Sequence, residues 1–267
     1  MKRLVILFAI VYAMLCIGIW LIQRSLLFFP TGMTPEQAAA EAAHRGFLPW
    51  TNAIGQVIGW KLPASGVSTG SVLIVHGNAG WAGQRDYLAA PIHEAAAVDV
   101  FVLEYPGYGA RAGSPSKAAF DTAAEEAFQL LPANLPRYVV SESLGAGVAA
   151  GLAQRHPQAI AGLALLVPYD NLAAVAQRRM WMFPSYFLLR DRFHPAANLK
   201  HYHGPVMFVI AGDDEILGPE TGLRLAAGYA GPKDVQVIPG ARHNDVSARP
   251  AQWWRETFAF WEKNHWK

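Results

Sequence analysis

A serine, a histidine and a pair of aspartates stand in this chain at places that suit acyl transfer. Ser143 lies within Ser141-Glu142-Ser143-Leu144-Gly145, directly after the strand-like RYVV and before the helix-forming AGVAAGLAQR. A serine at such a strand-to-helix turn holds its hydroxyl clear of the backbone, and small residues two before and two after it let the chain bend past its neighbours. Glycine is usual at both places; here the first is Ser141, which is still small. The hydroxyl needs a base, and imidazole takes a proton near pH 7 and returns it to a leaving group, which lysine or arginine does only after a large pKa shift. Among nine histidines, His243 is the one in ARHND, on the loop between the strand-like VQVIPG and a C-terminal helical run. The base needs an acid to orient it, and VMFVIAGDDEIL ends a strand with Asp213 and Asp214 side by side. Only one of them can face the histidine; the other caps or is solvated, and Glu215 is expected on the surface. The developing oxyanion needs two amide donors. The residue after the nucleophile, Leu144, supplies one, and the loop of SVLIVHGNAG supplies the other, with Asn78 expected as the donor after Gly77 and Ala79 as the alternative. His76 is expected to be structural, packed beneath that loop.

These residues need a scaffold that brings distant loops to one edge. Apolar, β-branched runs at 57–62, 71–75, 98–104, 137–140, 161–167, 206–210 and 235–238 read as strands. Segments 87–97, 117–131, 144–155, 220–229 and 251–263 have the length and composition of helices between them. Such alternation builds an α/β fold: a mostly parallel sheet sandwiched by helices, whose strands are apolar throughout because both faces are covered. The interval 168–204 is too long for a simple connection and is expected to be a short cap. It contains MWMFPSYFLL at 180–189, an apolar cluster that suits an acyl pocket, a bilayer face or plain core packing, with packing the leading reading. In the last helix Trp254, Phe258 and Trp261 share one face and are expected to pack on the sheet, whereas Trp253 and Trp266 are candidates for a membrane interface.

Composition narrows the function classes. The net charge of +2 and scattered basic residues give no electrostatic footprint for nucleic acid. The single cysteine, Cys16, excludes an intrachain disulfide. His201-x-His203 lacks any partner motif for a metal, and Gly107-Tyr108-Gly109 lacks the third glycine and helix start of a dinucleotide loop. No cofactor is expected.

Residues 4–22 carry no charge, and as a helix they would span roughly 28 Å, close to the hydrocarbon thickness of a bilayer. The run ends Trp20-Leu21-Ile22-Gln23-Arg24, without the small residues of a signal-peptidase site, so residues 1–23 are expected to be an uncleaved transmembrane anchor and 24–267 the α/β domain. Lys2 and Arg3 before the span favour an N-terminus inside, which puts the domain outside the cytoplasm, in a bacterium the periplasm.

Taken together, HGNAG, EYPGYGARAGSPS, SESLGAG, LLRDRF, AGDDEIL and ARHND, with QRSLLFFP after the anchor, resemble the α/β-hydrolase superfamily. The likeness is to its membrane-anchored branch, which includes bacterial peptidases or esterases and animal protein depalmitoylases. It spans nearly the whole chain. It departs from the branch at Ser141, where glycine is common, and at Arg111, where a small polar residue is common. The resemblance favours Asp214 as the acid, because Asp-Glu-Ile-Leu resembles the acid-bearing turn of relatives. It implies a serine hydrolase with a Ser143, His243, Asp214 triad, acting on an ester, thioester or amide; the nearby membrane segment and the apolar cap favour a small acyl or lipid-like substrate. A peptidase on the same triad and a non-catalytic membrane-tethered binding protein are the alternatives.

Overall fold

A computed structural model describes residues 1–265. Its first element, α1 (Lys2–Leu27), has no acidic residue, and apolar side chains are exposed around its circumference from Leu4 to Leu26. The helix is long and apolar enough to cross a membrane. It runs four residues past the expected anchor boundary, and Gln23 and Arg24 in its last turn bond to the cap, so α1 is joined directly to the residues that follow it in space. The chain then turns extended at Phe28 into β1 (Phe29–Pro30) and α2 (Pro35–His44). Thr34 and Gln37 close a reciprocal capping box there, with Pro35 preset for the first turn.

The remaining elements alternate. β2 (Leu48–Thr51), β3 (Val57–Leu62) and β4 (Ser71–Val75) precede a two-residue strand β5 (Ala79–Gly80) and α3 (Asp86–Ala95). Next come β6 (Asp99–Leu103), α4 (Lys117–Gln129), β7 (Arg137–Glu142), α5 (Gly145–Arg155) and β8 (Gly162–Leu166). The cap carries the short helices α6 (Leu172–Arg179), α7 (Ser185–Leu188) and α8 (Pro195–Asn198). β9 (Val206–Ala211), α9 (Pro219–Gly228), β10 (Lys233–Ile238) and α10 (Ala251–Asn264) complete the domain.

Eight strands form one sheet in the order β10-β9-β8-β7-β4-β6-β3-β2, in which only β3 runs antiparallel to its neighbours. The chain moves from β4 to β6 on one side, then crosses back to β7 on the other. Strand order therefore reverses between β4 and β7, and open parallel sheets bind ligands in the crevice that such a reversal leaves at the strands' carboxyl ends. The central strands are buried along their whole length because helices cover both faces. One core gathers α4, α5 and α9; the other gathers α2, α3 and α10.

The seven expected strands all form, within two residues of the expected bounds. β2 escapes sequence reading because Leu-Pro-Trp-Thr is short and carries a proline, and β1 and β5 are two-residue pairings that no pattern marks. Trp254, Phe258 and Trp261 are buried against the sheet as expected. Trp253 is buried too, and its indole donates to the Gln236 side chain, so it lies away from any membrane interface; Trp266 lies outside the described residues. The packing expectation for 180–189 holds only at its end, where the half-buried Leu189 packs against the core. Of these residues only Ser185 is buried, and Trp181, Met182 and Phe187 are among the most exposed apolar side chains of the cap.

Candidate active site

Ser143 stands between β7 and α5 with φ at +51°, in the left-handed region that non-glycine residues rarely enter. Its amide donates to the Leu166 carbonyl at 2.9 Å and its carbonyl accepts from Ala146, so sheet and helix together hold the strained turn. Gly145 makes the turn possible: a Cβ there would overlap the Val75 carbonyl of the neighbouring strand. Ser141 meets no such restriction. It is buried, and its hydroxyl reaches the Ala164 carbonyl at 3.4 Å, so the position accepts serine in place of glycine.

The histidine loop after β10 brings His243 Nε2 to 2.9 Å from Ser143 Oγ, and His243 Nδ1 lies 2.8 Å from Asp214 Oδ2. The backbone amide of His243 is fixed by Glu215 Oε2. The other Asp214 oxygen accepts from the amides of Ile216 and Leu217. Burial alone would raise the Asp214 carboxyl; the bond to His243 and those two amides outweigh it and hold the group below the usual aspartate value. Asp213 is exposed, as is Glu215, so the structure brings together the expected serine, histidine and second aspartate and leaves the first aspartate outside.

Facing Ser143 is the loop after β4. Among the described residues, neither the Asn78 amide nor the Leu144 amide donates to another protein group, and both residues line the same cavity as Ser143. The loop is clamped from several sides that no sequence motif announces. The Asn78 side chain donates to the Leu27 carbonyl at the end of α1, the Phe29 amide and the Tyr108 hydroxyl both donate to the Asn78 carbonyl, and Arg85 donates to the Ala79 carbonyl. The segment after α1 thus anchors the candidate oxyanion loop, a role that only the β1–β5 pairing reveals.

Below the loop His76 is fully buried. Its Nδ1 bonds to the Gly77 carbonyl oxygen, and burial, with Arg85 nearby, keeps the ring neutral well below its usual pKa. Its structural reading stands. Glu104 beneath it accepts from the Ala82 amide at 3.0 Å and from the Trp60 indole, yet burial pushes its carboxyl up to about 7. Arg111, the residue at odds with the family pattern, donates to the Glu104 carbonyl oxygen and pairs with Glu126 at 2.7 Å, which ties the Gly107–Gly109 loop to α4. His201 and His203 are exposed, and no cluster of three metal-ligating side chains occurs among the described residues.

The cavity over Ser143 has a volume of about 710 Å³. Its lining includes Arg85, Tyr87 and Glu142, where the Tyr87 hydroxyl donates to Glu142. Apolar side chains come from the cap, through Met180, Leu188 and Leu189, and from Ile19, Leu26 and Leu27 of α1. The helix α1 is therefore a wall of the site, which the expected division of the sequence into anchor and domain hides.

The family model for the alpha/beta hydrolase fold matches residues 70–200. An uncharacterised protein of Mycobacterium tuberculosis is 34% identical over 236 residues, covering 85% of this chain and 82% of that protein. The lysophosphatidylserine lipase ABHD12 of Macaca fascicularis is 27% identical over 226 residues, 75% of this chain and 56% of the lipase. The solved Pyrococcus furiosus esterase Pf2001 superposes with a TM-score of 0.64 at 14% identity, covering 90% of this chain and 98% of the esterase, a likeness of fold. By sequence, family model and fold, the chain belongs to the α/β-hydrolase superfamily.

Proposed function

We propose that the chain is a serine esterase for acyl, lipid-like substrates, with Ser143 as nucleophile, His243 as base, Asp214 as its orienting acid, and the Leu144 and Asn78 amides as the oxyanion donors. The reading is carried by one arrangement: an unbroken hydrogen-bond chain from Asp214 through His243 to Ser143, which lines a cavity that cap and α1 side chains make largely apolar. Ser143 Oγ attacks the acyl carbonyl as its proton passes to His243 Nε2, and Asp214 stabilises the imidazolium that results. The tetrahedral oxyanion faces the two free amides. On collapse His243 protonates the departing alcohol, the acyl group stays on Ser143, and a water activated by the same imidazole releases it as the acid.

The apolar lining suits an acyl chain, and the lipase name of one relative agrees with that preference. The same machinery also cleaves thioesters and amides, so substrate comparison is the test. Turnover of an acyl ester series from short to long should rise with chain length until the cavity is filled and should exceed that of aminoacyl amides. A clear preference for the amides would overturn the esterase reading. In this reading α1 anchors the domain with its N-terminus inside and the hydrolase outside the cytoplasm, following Lys2 and Arg3. A C-terminal reporter fusion should be active only as an extracytoplasmic enzyme, and a cytoplasmic signal would reverse the orientation.

A further inference from the structure

The cap and α1 touch at two levels. Near the C-terminal end of α1, Gln23 donates to the Leu188 carbonyl and accepts from the Arg190 amide, Arg24 pairs with Asp191 at 2.8 Å, and the Arg190 guanidinium stacks 4.7 Å over Trp20. Tryptophan, arginine and glutamine at one height are what a membrane–water boundary gathers. Farther along the helix, the Tyr12 hydroxyl donates to the Met182 carbonyl at 2.8 Å, and the Tyr12 ring stacks on Phe183. Eleven residues of helix separate Gln23 from Tyr12, which is about 16 Å of rise, roughly half the hydrocarbon thickness. The cap tip therefore follows α1 well past the polar layer.

The tip is built for such a place. Trp181, Met182 and Phe187 are 75%, 62% and 75% exposed, an apolar surface continuous with that of α1. Its backbone is a set of turns followed by the single-turn helix α7, and backbone polar groups at membrane depth are costly unless they are paired within the protein. Side chains supply part of that pairing. Ser185 donates to Met180, Tyr12 to Met182, Gln177 to Phe183, Arg192 to Phe187 and Leu189, and Gln23 to Leu188. A water-facing loop needs no such provision, because solvent would satisfy the same oxygens.

We propose that the segment 180–188 is a membrane-inserted element: it sinks into the same leaflet as the C-terminal half of α1, with a lipid bilayer as its partner. The active-site cavity, walled in part by Ile19 and Leu26 of α1 and by Leu188 and Leu189 of the cap, then opens toward the acyl-chain region, so substrate enters from the bilayer. This inference rests on the reading of α1 as the membrane anchor, and the experiment separates the two.

Cys16 is the only cysteine in the chain and lies in α1. An environment-sensitive fluorophore on Cys16 of the full chain, reconstituted in phosphatidylcholine–phosphatidylglycerol vesicles, reports on the anchor. The same fluorophore on Met182→Cys in a Cys16→Ala background reports on the tip. Val67→Cys in that background, on the loop before β4 at the opposite end of the sheet, is the aqueous control. The probes at 16 and 182 should both shift to shorter wavelength and be quenched several-fold more strongly by spin-labelled lipid than by iodide, with the reverse at 67. Lipid quenching at 16 with iodide quenching at 182 would overturn the insertion and leave the anchor standing. Iodide quenching at 16 would overturn the anchor and the insertion with it. Protection of 182 from both quenchers, with crosslinking between copies through that position, would assign the surface to a second copy of the chain and overturn the bilayer as its partner.

Discussion

Asp213 and Asp214 are adjacent in sequence and opposite in environment. Asp214 is buried against His243 and two backbone amides, whereas Asp213 faces solvent. Asp214→Asn should therefore lower esterase kcat by on the order of a thousandfold or more, because an amide in that place no longer holds the imidazole in the working tautomer. Asp213→Asn should leave kcat close to wild type; parallel turnover assays compare the two. The choice was legible only through the resemblance of the Asp-Glu-Ile-Leu turn, since two neighbouring carboxylates look alike to any pattern. Glu104 was not legible at all, because nothing local in Val-Leu-Glu-Tyr-Pro says that its carboxyl is sealed under the His76 loop. Its consequence is a pH effect with a definite sign. The unfolded carboxyl loses its proton near 4.5 and the folded one near 7, so between these values the folded state binds more protons and stability falls as pH rises. The fall amounts to on the order of 3 kcal/mol by pH 8. Glu104→Gln should remove that slope, which thermal unfolding of both proteins from pH 4.5 to 8 measures. Asp214 acts in the opposite sense: its contribution is present above the unfolded carboxyl pKa and lost as pH falls through the depressed folded value.

At the scale of the element, the turn between β7 and α5 is decided by one glycine and tolerates variation at the other. Gly145→Ala drives a methyl into the Val75 carbonyl and should cost roughly 1–3 kcal/mol of stability together with most of the activity. Ser141→Gly gives up only a long hydrogen bond and some strand rigidity, roughly 0.5–1 kcal/mol, and should keep kcat near wild type. Thermal unfolding and ester turnover on the same preparations test both. The strands were legible because a doubly covered sheet demands uninterrupted apolar runs, and β4, β7 and β9 spell them out. The cap was legible only as an interval: its helices have four to eight residues, too few for a periodic pattern to form, and its apolar run reads the same whether it packs inward or faces out.

Over the whole molecule, α1 and the hydrolase domain work as one body. Asp191 is buried and accepts from Arg24 at the end of α1 and from the Lys117 amide at the start of α4, so it joins α1, cap and core. Asp191→Asn should destabilise the protein by on the order of 2 kcal/mol, read from thermal unfolding in detergent. The sequence marks α1 as a membrane segment through its hydropathy, but its second task, walling the cavity and fixing the Asn78 loop, depends on contacts across more than fifty residues of chain and has no local signal. In the proposed reaction this assembled body presents to a substrate a nucleophilic Ser143 activated by His243. The most direct measurement is labelling of the folded, detergent-solubilised full chain with a fluorophosphonate, read by intact mass and peptide mapping. A single adduct on Ser143 is expected in wild type, none in Ser143→Ala and strong suppression in His243→Ala. A folded wild type that stays unlabelled, or equal labelling of Ser143→Ala, would contradict that reaction.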